Sequence, residues 1–190
     1  MKIVCLGDSL TYGFGCSRKR IWTTLAGEKS QFEIINKGIN GDTTGGMLAR
    51  FYSDVILNKP DVVFIMGSTN DLAAGADIGV VQANIMSMVH QAFYHNIIPV
   101  VATLIKADLP SVPRHWEEFA HYSAMNMKMM CYRQWIYGFS KTFNVKILDL
   151  YHIFEERMET DTYKDYYIDG GKVGTEDWAS DPTENGSGAL

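Results

Sequence analysis

Short, wholly apolar runs alternate along this chain with longer stretches in which apolar residues recur every three or four positions. Ile3-Val4-Cys5-Leu6 is apolar without a break and stops at Gly7-Asp8-Ser9, as a buried strand does when it delivers a polar side chain to a sheet edge. Ile21 to Lys29 has helical character, with Trp22, Leu25 and Ala26 on one side, and Glu33-Ile34-Ile35-Asn36 reads as a second strand. The Gly- and Asn-rich turn Lys37 to Asp42 leads to a helix capped by Thr43 or Thr44, whose apolar positions are Leu48, Phe51, Tyr52, Val55 and Ile56. Pro60-Asp61 ends it. Val62 to Met66 is apolar at every position, as expected of a central parallel strand covered on both faces. Val81, Ile85, Met88, Val89, Ala92 and Phe93 form one helical stripe, and a fourth strand follows over Ile97 to Leu104. After a loop over Ala107 to Trp116 come a long helix (Glu117 to Phe143), a fifth strand (Val145 to Leu148) and a short helix (Ile153 to Met158).

This alternation predicts an α/β fold, a three-layer α/β/α sandwich around a five-stranded parallel sheet. Residues 1–170 read as one domain. From Gly171 to Leu190 the chain turns polar and Gly-rich, with Trp178 its only aromatic residue, so 171–190 read as a tail, in which Asp177 to Leu190 has too few apolar residues to pack as a helix.

Composition narrows the function classes. Hydrophobic residues make up 46% and charged residues 21%, ordinary for a globular chain, and the net charge of −5 with no basic stripe excludes a nucleic-acid footprint. No apolar run approaches the roughly 18 residues of a membrane helix. Met1-Lys2 runs straight into the first strand without a charged leader, so the expected location is cytoplasmic. Cys5, Cys16 and Cys131 lack metal-ligand spacing and read as reduced thiols; no metal or cofactor is expected. Nucleotide binding in such a sheet calls for a Gly-x-Gly-x-x-Gly first turn, which GDSLTYGFG lacks.

Three polar clusters follow strands one, two and three: Gly7-Asp8-Ser9, Gly41-Asp42 and Asn70-Asp71. Chemistry in parallel sheets collects outside the carboxyl ends of the strands. A serine nucleophile needs donors aimed at the oxyanion formed on attack. The N–H groups of Ser9 and Gly41 and the Asn70 amide are of the right type.

These residues resemble the SGNH hydrolases, the GDSL esterases and lipases. The GDSL motif stands as Gly7-Asp8-Ser9-Leu10, the second block as Gly41 within INGDTTGGM, and the third as Ser68-Thr69-Asn70-Asp71, with Ser68 where the family usually has glycine. The resemblance implies a flavodoxin-like strand order 2-1-3-4-5 and metal-free hydrolysis of small acyl esters through an acyl-Ser9 intermediate, with Ser9, Gly41 and Asn70 as oxyanion hole. The fourth block, Asp-x-x-His, begins at Asp169, but residue 172 is lysine. A second alignment through Pro182-Thr183-Glu184-Asn185-Gly186 puts Asp181 in the histidine's place. His90 and His95 read as surface or packing residues; His115, His121 and His152 follow strands four and five. Asp149-x-x-His152 imitates the motif but comes early. Impaired turnover is therefore expected. The alternative is a binding protein that keeps the acyl or sugar pocket without turnover. The acyl chain, the leaving group and the oligomeric state, including a homo-oligomer, stay open.

Overall fold

The computed structural model describes residues 1–105 and 122–160. Five parallel strands form one sheet: β1 (Lys2–Gly7), β2 (Glu33–Gly38), β3 (Val62–Met66), β4 (Ile98–Ala102) and β5 (Lys146–Leu148), in the order β2-β1-β3-β4-β5. This is the order the family resemblance implies. β1 lies between β2 and β3, with Gly7 opposite Gly38 on one side and Met66 on the other. The three polar clusters therefore leave the sheet side by side.

Strand alternation divides the core. Val4, Leu6, Val63, Ile65 and Val101 face one way, against Met47, Phe51, Val81, Ile85, Met88, Val89, Tyr132 and Ile136. Cys5, Phe64, Met66 and Ala102 face the other, against Trp22, Ile34 and Leu150. The helices follow in chain order: α1 (Ser9–Tyr12), α2 (Trp22–Ser30), α3 (Thr44–Ala49), α4 (Phe51–Asp54), α5 (Thr69–Ala73), α6 (Ile78–Tyr94), α7 (Tyr122–Phe143) and α8 (Leu150–Thr160). The sequence pattern reads sheet layers on both faces, and both are covered.

Two local expectations change, and the stretch after Ser9, to which the pattern assigns no element, starts with the single turn α1. The helix expected through Leu48 to Ile56 breaks at Arg50 (φ −100°, ψ 5°) into α3, α4 and a 3₁₀ turn over Ile56–Asn58. Apolar spacing reports which face is buried and is blind to a bend that keeps that face buried. Leu25, expected on the covered side of α2, is 41% exposed, and Trp22 carries the contact instead, edge-on to Phe64 at 5.3 Å. None of the described helices is long and apolar enough to cross a membrane.

Candidate active site

Ser9 is the first residue of α1, immediately past the end of β1. Asp8 caps that turn through a 3.0 Å hydrogen bond from the Leu10 N–H to its Oδ1. Gly13, at φ +88°, closes the turn by returning its N–H to the Ser9 carbonyl at 3.0 Å. Asn36 of β2 holds the turn from beneath by donating to the Thr11 carbonyl at 2.7 Å. No described side chain hydrogen-bonds to the Ser9 hydroxyl.

Gly41 sits in the third position of a turn that Asp42 closes by donating its N–H to the Ile39 carbonyl at 3.2 Å. Its φ of +72° suits glycine, and a Cβ there would meet nothing within 4 Å among the described residues. Asn70, on the first turn of α5, donates its Nδ2 to the Asp42 carbonyl at 2.8 Å, so its amide is held against the Gly41-Asp42 turn. Ser9, Gly41 and Asn70 thus occupy adjacent strand ends, as the sequence leads one to expect.

Behind them lie groups to which local pattern reading gave no role of their own. Asp71 is buried and accepts from the Thr44 N–H at 2.8 Å and the Thr44 hydroxyl at 2.7 Å, which Asn84 also donates to. Arg50 fills the junction of α3 and α4 and bonds to Asp42, Asp54 and two strand-end carbonyls. The signal available for Arg50 was its i,i+4 spacing to Asp54 inside an otherwise apolar stretch. Asp8 is 1% exposed and its Oδ2 has no hydrogen-bond partner among the described residues. Burial pushes its carboxyl up to about 6, the charges of Asp42 and Asp71 add to that, and the Leu10 N–H works against it.

Ser68, the departure from glycine, adopts φ +100° and ψ −10° and is fully buried. Its hydroxyl faces that of buried Tyr132 closely enough to offset part of the upward push of burial on the phenol. The pair still misses hydrogen-bond geometry, and neither hydroxyl has a partner among the described residues. A left-handed conformation costs a residue with a Cβ about 1–2 kcal/mol, and an unsatisfied buried hydroxyl adds to that. Glycine's extra freedom in the unfolded chain takes back part of the gain. Ser68→Gly is expected to stabilise by about 1 kcal/mol, seen as a rise of about 2–4 °C in the melting temperature. A lower melting temperature would mean that the hydroxyl is held by a group such as an internal water.

The histidines divide. His90 is exposed and packs edge-on to Phe143 at 5.2 Å; His95 follows α6 at the opposite edge of the sheet from Ser9 and packs against Tyr94. His152 forms a real carboxylate–imidazole pair, with Nδ1 2.5 Å from Asp149 Oδ2. The Tyr137 hydroxyl donates to the same oxygen and the Thr103 hydroxyl to Oδ1 at 3.0 Å. These bonds hold the Asp149 carboxyl down at about 2 against a smaller-than-usual access to water. The pair sits at the end of β5, three strand spacings from β1, roughly 14 Å. That distance separates it from Ser9, so the early position of this motif in the chain has a spatial counterpart. His115, His121, Asp169, Lys172, Asp181 and the 170/171 boundary lie outside the described residues. Among the described residues no cluster of His, Cys, Asp or Glu is arranged to hold a metal ion. Cys5 is buried in β1, which pushes its thiol up to about 12, while Cys16 and Cys131 are exposed.

The family model for GDSL-like lipases and acylhydrolases matches residues 5–182. The chain belongs to this family. A lipoprotein of Bacillus subtilis (strain 168), YqeF, called uncharacterized, is 27% identical over 135 residues, 64% of this chain and 56% of its own. An arylesterase of Vibrio mimicus is 32% identical over 93 residues, 46% of each chain. The chain thus spans about half the length of these relatives. A solved structure assigned to the lipolytic G-D-S-L family, from Desulfitobacterium hafniense DCB-2, superposes with a TM-score of 0.67 at 27% identity, over 78% of this chain and 76% of that one. The stretches that resemble the family's first three blocks stand at the three strand ends described above.

Proposed function

We propose that this GDSL-family chain is a serine esterase of small acyl esters, with Ser9 as nucleophile. The observation that supports the reading is that Ser9, Gly41 and Asn70 follow three neighbouring strands, with the Asn70 amide held against the Gly41-Asp42 turn. Ser9 Oγ attacks the ester carbonyl carbon. The negative charge that develops on the carbonyl oxygen is taken by the N–H groups of Ser9 and Gly41 and by Asn70 Nδ2. The C–O bond of the ester breaks, the serine's proton leaves with the alcohol, and water then cleaves acyl-Ser9 to the acid.

The weak step is removal of the serine proton. Lys172 or Asp181 stands where the family carries its histidine, and Asp169 is the acid that would orient it. Without a base of the usual kind, the oxyanion donors alone sustain only about 10³–10⁴-fold acceleration over water. Slow turnover of an activated aryl ester is therefore the expected behaviour, a choice of substrate that the arylesterase relative supports. The lysine at 172 equally supports a second reading, a binding protein that holds acyl or sugar ligands without turnover.

A fluorophosphonate probe separates the two. The expected result is a single adduct on Ser9, with p-nitrophenyl acetate hydrolysis above background, and loss of both in Ser9→Ala. Folded wild-type protein that takes no label and hydrolyses nothing, yet melts higher with an acyl ligand, would establish the binding protein instead.

A further inference from the structure

Arginine carries five N–H donors in a planar fork, and Arg50 makes four side-chain hydrogen bonds with it and one further ion-pair contact. Nε and Nη2 reach Asp42 Oδ2 at 2.8 and 2.7 Å, and Nη2 also reaches the Gly7 carbonyl at 2.9 Å. Nη1 reaches the Lys37 carbonyl and Asp54 Oδ2, both at 2.8 Å. The side chain is 14% exposed, so these bonds are little screened by water.

The identity of the acceptors is informative. Gly7 is the last residue before Asp8-Ser9. Lys37 is the next-to-last residue of β2, just ahead of the turn that holds Gly41. Asp42 follows Gly41, and its carbonyl is the group that takes one of Asn70's two amide hydrogens. One guanidinium is therefore bonded to the backbone beside Ser9, to the strand feeding Gly41, and to the residue that orients Asn70. An ion pair serving stability alone would need only Asp42 and Asp54. Gly46 leaves room for this arrangement: a side chain there would lie 1.9 Å from Asp42 Oδ1.

Resting on the serine esterase reading, we propose that Arg50 is the positioning residue of the oxyanion hole. It sets the Gly41 N–H and the free Asn70 amide hydrogen at the spacing an oxyanion requires. Lysine cannot replace it, because a point-like ammonium with three donors cannot span two strand ends and a carboxylate.

The test compares Arg50→Lys with Asp54→Asn, which removes only the partner remote from the turn. In the full chain, the Gly41 backbone amide and the Asn70 side-chain amide are followed by ¹⁵N NMR, alongside melting temperature and p-nitrophenyl acetate kinetics. In Arg50→Lys both resonances are expected to shift or broaden while those of β3 and β4 stay in place. The turnover number is expected to fall roughly 10²-fold with the Michaelis constant nearly unchanged. Asp54→Asn is expected to lower the melting temperature and leave both resonances where they were. Should Arg50→Lys fail to fold, Asp42→Asn, which weakens the same grip without changing side-chain size, is expected to move the same two resonances. The proposal is overturned if Arg50→Lys, or Asp42→Asn in its stead, leaves the two resonances and the turnover number at wild-type values. It is equally overturned if Asp54→Asn moves the resonances as much. Absence of turnover in the wild type would count against the esterase reading, while the resonances still decide the role of Arg50.

Discussion

Gly38→Ala is expected to destabilise the protein by about 3 kcal/mol or more and to abolish probe labelling of Ser9. A Cβ at position 38 would lie 2.1 Å from the Tyr12 N and 2.6 Å from the Thr11 carbonyl carbon. Those are main-chain atoms of α1, so no rotamer change relieves the overlap. Either β2 moves away from β1, breaking the Gly7–Gly38 end of their ladder, or α1 lifts from the sheet and takes Ser9 with it. Gly7→Ala meets the same obstacle from the other side, with the Met66 carbonyl at 2.3 Å. These glycines are there because the turn bearing the nucleophile crosses directly over the strand ends. A matched control lies in α7, where a Cβ on Gly138 would meet nothing within 4 Å. Gly138→Ala removes a helix-interior glycine and is expected to stabilise by about 0.5–1 kcal/mol. Urea unfolding of the three variants checks the set, and a Gly38→Ala protein as stable as wild type would show that α1 is not seated where it is described.

Much of this architecture was written in local pattern. β1, β3 and β4 are short runs dominated by apolar residues, and the turns after β1, β2 and β3 carry Gly, Asn and Asp. The candidate site was legible for a related reason: Ser9, Gly41 and Asn70 each stand directly after a strand or its turn, and parallel pairing of β2, β1 and β3 brings those points together. What stayed hidden depends on contacts between residues far apart in the chain. Arg50 looks like a surface residue of an amphipathic helix until the ends of β1 and β2 arrive beside it. The strain at Ser68 is a property of how β3 turns into α5, and no composition records it. The Asp149–His152 pair was visible as a spacing, but only the strand order says that it lies across the sheet from Ser9.

The pH dependence of stability should carry the signature of Asp8. Its carboxyl titrates at about 6 in the folded protein against 3.8 as an ordinary aspartate. Between those values the folded state binds more protons than the unfolded chain, so stability falls as pH rises. The loss begins near pH 4 and is complete above about pH 6, and the difference in pKa corresponds to about 3 kcal/mol. Asp54 and Asp149, whose carboxyls are held below the usual value, act with the opposite sign, and their stabilisation is lost only as pH falls below about 4. Asp8→Asn keeps an acceptor for the Leu10 N–H and removes the charge. Its new amide group, at the unpartnered Oδ2 position, costs about 1–3 kcal/mol at every pH. That offset leaves the slope untouched. Unfolding free energies of both proteins at pH 4.5 and pH 7 are the measurement, and histidine titration cancels in the difference. The gap between variant and wild type is expected to move in favour of Asp8→Asn by about 2 kcal/mol across that range. Parallel curves would mean that Asp8 ionises without penalty because a bound water satisfies Oδ2. Ser9 would then sit beside a hydrated carboxylate, and the buried acid would no longer set how firmly the nucleophile's turn is held at neutral pH.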